Sequence, residues 1–137
     1  MQIIDAQIHL WGSGLPSNPA HRQVTSFLAD EALAMMDEAG VDAAVIHPVP
    51  WDGNSQQIAF DAVAKHPDRF AMLGNVPPEA PDMKQQVAAW RERPGALGLR
   101  YMLLSEAAQK MLADGAFDRL WAAAEEAGVP IALLATD

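Results

Sequence analysis

The feature that most constrains this chain is a repeated junction, in which a helix ends at a glycine and an apolar strand follows at once. The junction occurs as DEAGVDAAVI from Asp37 and as EEAGVPIALL from Glu125. Strand–helix units recur roughly every 30 residues, and their strands are almost entirely apolar, as expected for strands buried on both faces. Such alternation favours parallel strands joined by right-handed crossovers. We therefore predict an α/β fold with a parallel sheet.

Five strands and the helices between them can be assigned from hydrophobic periodicity and from helix-capping residues. The first helix is predicted to have its cap at Thr25 or Ser26 and to end at Gly40. Its inward face is predicted to contain Leu28, Leu33, Met36 and Ala39. The predicted strands are residues 3–11, 41–49, 69–76, 97–103 and 129–135, and the later helices are residues 55–65, 82–91, 105–112 and 117–127.

Two parallel architectures fit this order of elements. An open doubly wound sheet is one, but none of the strands is followed by a GxGxxG or GxxxxGK[ST] motif. A (β/α)8 barrel is the other, and it ordinarily needs about 250 residues. The 137 residues and five strands here would make just over half of such a barrel.

Charge and composition exclude several classes of function. The 18 acidic and 9 basic residues give a net charge of -9, which opposes binding to nucleic acid and to anionic membranes. No cysteine is present, so disulfides, thiolate nucleophiles and Cys-ligated zinc are excluded. No signal peptide or membrane-spanning run is seen. We expect a cytoplasmic protein whose partner is a small-molecule substrate.

The first strand carries a polar stripe that points to one edge of the sheet. Asp5, Gln7 and His9 alternate with apolar residues and therefore lie on one face. His9 comes last, at the carboxyl end of the strand, where functional loops of α/β folds lie. An imidazole there could bind a metal through one nitrogen, or could simply be a hydrogen-bonded structural residue. His21, Asp52 and Asn54 fall beside the same edge.

Several ordered segments resemble the amidohydrolase superfamily, in its amidohydrolase-2 (lactonase-like) branch. IIDAQIHLW (residues 3–11) is similar to its first-strand DxHxH signature, with Gln7 at the first histidine and His9 at the second. KHPDRFAMLGNVPP, RPGALGLRYML and AGVPIALL continue the likeness. The resemblance implies that residues 1–137 are the N-terminal portion of one TIM-like (β/α)8 barrel domain, apparently truncated.

The resemblance also implies a divalent metal, with metal-bound water attacking a carbonyl. His9 is then a catalytic residue and a metal ligand. Gln7 is a poor ligand, because a neutral amide binds transition metals less well than imidazole does. We therefore expect Zn2+ or Mn2+ to bind weakly or not at all, and we assign Gln7 to substrate binding.

Four further residues and a second histidine complete the candidate site. Arg100 lies mid-strand, where its guanidinium either forms an internal ion pair with Asp5 or another carboxylate, or binds a substrate carboxylate. His47 either donates a proton or orients the substrate, or it stabilises the loop before Pro48. The remaining candidates for substrate binding are Trp11, Trp51 and Asn75.

These features lead to one expected function and two alternatives. The expectation is a hydrolase that opens a lactone or related small cyclic carboxylic ester by water attack on the carbonyl. One alternative is a metal-dependent decarboxylase of an aromatic or muconate-type acid. The other is a non-catalytic truncated barrel fragment. Because five parallel strands leave sheet edges uncovered, we also expect a homo-oligomer.

Overall fold

A computed structural model describes residues 1–135 as a series of alternating strands and helices. Thr136 and Asp137, the last residues of the predicted 1–137 domain, lie outside the described residues. The strands are β1 (Ile4–Ile8), β2 (Ala43–Ile46), β3 (Phe70–Gly74), β4 (Ala96–Leu103) and β5 (Ile131–Ala135). The helices are α1 (Ala29–Ala39), α2 (Ser55–Lys65), α3 (Met83–Ala88), α4 (Glu106–Ala113) and α5 (Asp118–Ala127), with a 3-10 turn at Trp90–Glu92.

The strands are parallel, and their order decides between the two predicted architectures. β1 pairs with β2, β2 with β3 and β4 with β5, each in parallel. The sheet order β1-β2-β3-β4-β5 follows the chain. In a doubly wound sheet the order of the strands reverses at a switch point, whereas successive strands of a (β/α)8 barrel are neighbours throughout. The α/β fold is therefore that of a partial TIM-like barrel, as predicted.

The first helix begins later than its sequence pattern suggested. It starts at Ala29, with Leu28 as the cap residue. Thr25 and Ser26 are not its caps, because the adjacent Phe27 is held in a bridge to Trp11, with hydrogen bonds of 2.8 and 3.0 Å between their backbone groups. Leu28 is 43% exposed, so its predicted place in the helix core is wrong.

The described chain divides into two compact units. The first unit is Met1–Met72 and the second is Leu73–Asp137. The first contains an apolar core, to which α1 contributes Ala32 and Met36, with the half-buried Leu33 packed against it. Ala39 is exposed, contrary to the prediction. The buried members of this core are Leu10, Ala32, Met36, Ala44, Ile46, Ala59, Ala62, Val63, Phe70 and Met72.

The second unit is packed through strand contacts and aromatic rings. In β4, Leu99 donates its backbone N–H to the Pro130 carbonyl at 2.9 Å, which starts the pairing with β5. Tyr101 lies 5.5 Å from Phe117 and 5.7 Å from Trp121 between ring centroids. Aromatic pairs at such distances add to the free energy of burial. Across residues 1–135, none of the helices combines the length and apolar character needed to cross a membrane.

Candidate functional site

The first unit brings its candidate residues together at the carboxyl ends of β1 and β2. The His9 ring centroid lies 6.4 Å from that of His47 and 6.4 Å from that of Trp51. Trp51 in turn lies 5.7 Å from Trp11. Gln7 reaches the same group from β1, with its Nε2 3.5 Å from His9 Nε2. Gln7, His9, Trp11, His47 and Trp51 therefore form one cluster.

One hydrogen bond sets the orientation and the tautomer of His9. Its Nδ1 lies 2.8 Å from the backbone carbonyl oxygen of His47. A carbonyl oxygen only accepts, so Nδ1 carries the proton and Nε2 of the neutral ring is the acceptor. Nε2 faces the Gln7 side chain, which confirms that Gln7 and His9 share one face. Asp5 is turned to its own strand, where it accepts from the Gln7 backbone N–H at 2.9 Å.

His47 is a buried member of the cluster. It is only 5% exposed, and its Nε2 donates to the Ala6 carbonyl oxygen at 3.1 Å. The residue therefore contacts β1 through its ring at Ala6, and it contacts His9, the residue after β1, through its carbonyl. Both contacts fix the end of β2 against β1 and position the His9 ring.

Two buried polar residues tie together the loops that carry this cluster. The Asp52 carboxylate accepts from the backbone N–H groups of Gly12, Asn54 and Ser13 at 2.7, 2.9 and 3.2 Å. These hydrogen bonds, that of Asn54 first, lower the pKa of Asp52 below its ordinary value of 3.8. Ser55 donates to the Leu10 carbonyl at 2.7 Å and accepts from the Val49 N–H at 2.9 Å.

Sequence reasoning assigned no role to His21, although the structure stacks it on His9. The two ring centroids are 5.8 Å apart with an interplanar angle of 20°, and His21 also lies 6.1 Å from Trp51. Its position in a long loop after a strand that carries polar residues was the available signal. Asp52 was placed beside the same edge without a role and Ser55 was missed, because a single sequence does not show which loop carboxylate or hydroxyl becomes buried.

Arg100 and Asn75 lie in the second unit. The Asn75 Nδ2 is 3.4 Å from the Arg100 backbone carbonyl. The Arg100 side chain is half-buried, and burial lowers the pKa of its guanidinium. Among the described residues of its own unit, no carboxylate forms an ion pair with it. Tyr101 has the opposite strand parity and is buried, with its hydroxyl donating to the Val76 carbonyl at 2.8 Å.

The described residues do not complete a metal site. Within residues 1–135, no group of three or more His, Cys, Asp or Glu side chains could hold a metal ion. His9 has the chemistry of a ligand, because metal-binding histidines commonly donate their other ring N–H to a carbonyl. Gln7 adds only a neutral amide. We therefore assign no chemical step to a metal.

Comparison with known proteins identifies the family. The family profile described as Amidohydrolase (Amidohydro_2) matches residues 4–136. The chain belongs to the amidohydrolase family. This confirms the resemblance carried by the first-strand signature and the later segments. No curated protein sequence matches this amidohydrolase-family chain significantly.

Solved structures share the fold of this amidohydrolase-family chain at low sequence identity. An amidohydrolase from Burkholderia multivorans with bound zinc has a TM-score of 0.76 at 19% identity, over 98% of this chain and 49% of that protein. A probable 2-pyrone-4,6-dicarboxylic acid hydrolase from Acinetobacter baumannii, with citric acid bound, has a TM-score of 0.70 at 16% identity, over 97% and 49%.

A third similar structure has a different activity. It is 5-carboxyvanillate decarboxylase from Novosphingobium aromaticivorans, complexed with manganese and 4-hydroxy-3-methoxy-5-nitrobenzoic acid. Its TM-score is 0.58 at 23% identity, over 73% of this chain and 32% of that protein. This amidohydrolase-family chain thus spans about half, or less, of the length of each of these three proteins.

Proposed function

We propose that the protein acts as a hydrolase that opens a lactone or related small cyclic carboxylic ester, with water attacking the ring carbonyl. Membership of the amidohydrolase family supports hydrolysis. A probable pyrone hydrolase among the similar structures supports a cyclic ester as the substrate class. The single observation that carries the proposal is the geometry of His9.

The fixed tautomer of His9 suits it to accept a proton. Because Nδ1–H is donated to the His47 carbonyl, the basic atom is Nε2, on the side of Gln7. A water held at Nε2 can pass its proton there while its oxygen attacks the carbonyl carbon. The ring C–O bond then breaks, and the same proton can be returned to the leaving oxygen. We propose His9 as this catalytic base and His47 as the residue that orients it.

Substrate-binding roles are proposed for each unit by itself. In the first, Gln7 offers a neutral amide beside His9, and the half-buried Trp51 offers an aromatic face. Trp11 is 4% exposed and donates its indole N–H to the Val24 carbonyl at 3.1 Å, so its part is to support Trp51. In the second unit, Arg100 is proposed to bind a carboxylate and Asn75 to steady the strand that carries it.

The test measures two products, each from its own set of compounds. Acid release is followed by titration at constant pH across small lactones, including the pyrone carboxylate coumalate. Release of CO2 is trapped from aromatic acids. His9→Asn should abolish acid release because the amide cannot act as the base. The matched control is His66→Phe, since His66 lies at the end of α2 and contacts Phe70 rather than the cluster.

The outcomes separate the competing functions. Acid release that depends on His9 but not on His66 supports the lactone hydrolase. Release of CO2 without lactone opening would replace it with the decarboxylase that one similar structure represents. Neither product from a folded protein would favour a non-catalytic role.

A further inference from the structure

The loop between β1 and α1 is held in one conformation by its own polar groups. This 12–24 loop is closed at its base by the bridge between Trp11 and Phe27. Inside it, the Gln23 Nε2 donates to the carbonyls of Asn18 and His21, each at 3.0 Å. The His21 backbone N–H donates to the Asn18 carbonyl at 3.0 Å. Both backbone groups of His21 are therefore fixed within the loop.

This loop conformation directs the His21 ring towards His9 and Trp51. His21 is half-buried, while Ala20 and Arg22 on either side are exposed. Its ring stacks on His9 at 5.8 Å and 20°, and meets Trp51 at 6.1 Å and 66°. Arg22 fixes the outer side of the loop, with its Nη1 3.1 Å from Met35 Sδ and its guanidinium 5.1 Å from the Phe27 ring centre. Long loops without regular structure that are ordered in this way are usually functional.

We infer that His21 is a positioning residue for His9, and that the 12–24 loop serves to deliver it. The hydrogen bond from Nδ1 and the contact of Nε2 with Gln7 act at the edge of the His9 ring, whereas a turn of the ring about its Cβ–Cγ bond sweeps its faces aside. A flip exchanges Nε2 with Cε1 and removes the basic atom from its place beside Gln7. A ring stacked on the face of His9 obstructs that turn. The inference names a supporting residue for the base and so rests on the proposed function.

The test compares variants that remove or keep the ring. His21→Ala removes the stacked face, and His21→Phe keeps a flat ring without nitrogen. Their readout is the ¹⁵N spectrum of the His9 imidazole in the free protein, recorded above the ordinary histidine pKa of about 6.5. We expect one Nδ1–H tautomer in the wild type and in His21→Phe, and a mixture of tautomers in His21→Ala. His66→Phe is the matched control and should leave the His9 signals unchanged.

A kinetic arm uses the lactone that the wild type hydrolyses best. His21→Ala should lower kcat roughly three- to tenfold with little change in KM, the size expected for loss of an aromatic contact, and His21→Phe should restore it to within about twofold. Unchanged His9 signals in His21→Ala, or a mixture that persists in His21→Phe, would overturn the inference. If the wild type opens no lactone, the proposed function fails, while the spectra still decide the role of His21.

Discussion

The loop after β2 and the turn after β4 occupy equivalent places in the chain but are built differently. Residues 47–54 separate β2 from α2, whereas only Leu104 and Ser105 separate β4 from α4. Among residues 1–135, the buried polar or charged side chains are His47, Asp52 and Ser55, which all belong to the first segment or border it. The turn after β4 holds an exposed leucine and a helix-capping serine.

The contrast separates two ways of stabilising a strand end. In the first unit, buried polar groups bind the backbone of neighbouring loops, and each such group must be satisfied or it costs free energy. In the second unit, β4 and β5 are in close backbone contact at Gly98 and Pro130, and apolar side chains pack around them. The hydrogen bonds of His47, Asp52 and Ser55 hold the segments around His9, so we infer that they maintain the candidate site. Three substitutions test this inference.

The largest effect should come from close backbone contact in the second unit. A Cβ atom at Gly98 would collide with the backbone carbonyl of Pro130, which also accepts the hydrogen bond from Leu99. Gly98→Ala must therefore push β4 and β5 apart, and it should lower the free energy of unfolding by about 3 kcal/mol or more. Urea denaturation measures it.

A matched glycine in the first unit provides the control. Within residues 1–135 and apart from its two chain neighbours, no atom lies within 4 Å of the position that a Cβ at Gly53 would take. Gly53→Ala should therefore change stability by less than about 0.5 kcal/mol. If the two alanine variants were equally stable, close strand contact would not be what holds the second unit.

A smaller but still large effect is expected for Asp52 in the first unit. Asp52→Ala leaves the backbone N–H groups of Gly12, Ser13 and Asn54 without their acceptor. We expect a loss of about 2–3 kcal/mol in the free energy of unfolding, because three hydrogen bonds to a buried, charged acceptor are removed together. Asp61→Ala is the control, since Asp61 is exposed and accepts a hydrogen bond from Gln57 on its own helix.

The pH dependence of this effect has a definite sign. The folded pKa of Asp52 is lowered, so its stabilisation is complete above the ordinary value of 3.8 and is lost as pH falls through the folded pKa. The difference in stability between wild type and Asp52→Ala should therefore shrink below about pH 3.8. A difference that stays constant down to acid unfolding would show that the carboxylate charge is not involved.

The fold could be predicted because apolar periodicity and helix-ending glycines are local signals. The Ser55–Lys65 helix has the predicted bounds, and Gly40 and Gly128 end their helices in the left-handed conformation. The start of α1 could not be predicted in this way. The residue at which α1 begins depends on the pairing of Phe27 with Trp11, a contact between residues 16 positions apart in the chain. Such a tertiary contact overrides the local preference of Thr and Ser for the cap position.

The candidate site was only half predictable for the same reason. Alternation along β1 places Gln7 and His9 on one face whatever follows in the chain. The neighbours of His9 are set by loops, because His21 reaches it from residues 12–24 and Trp51 from the loop after β2. Loop conformation depends on which polar groups become buried. A sequence indicates that Asp52 could accept hydrogen bonds, but not that three backbone groups converge on it.

The smallest effect tests whether a polar group in the second unit serves stability alone. Tyr101→Phe removes the hydroxyl that donates to the buried Val76 carbonyl and should lower the free energy of unfolding by about 1 kcal/mol.

Burial raises the pKa of Tyr101 to about 12 from 10.0. The folded state therefore holds the proton more tightly, and this stabilisation is present below pH 10 and lost between about 10 and 12. Alkaline denaturation curves of wild type and Tyr101→Phe should converge over that range. Lactone opening should be unchanged in Tyr101→Phe, since its hydroxyl is bound within the core, and a lower kcat with normal stability would show that this polar group does not serve stability alone.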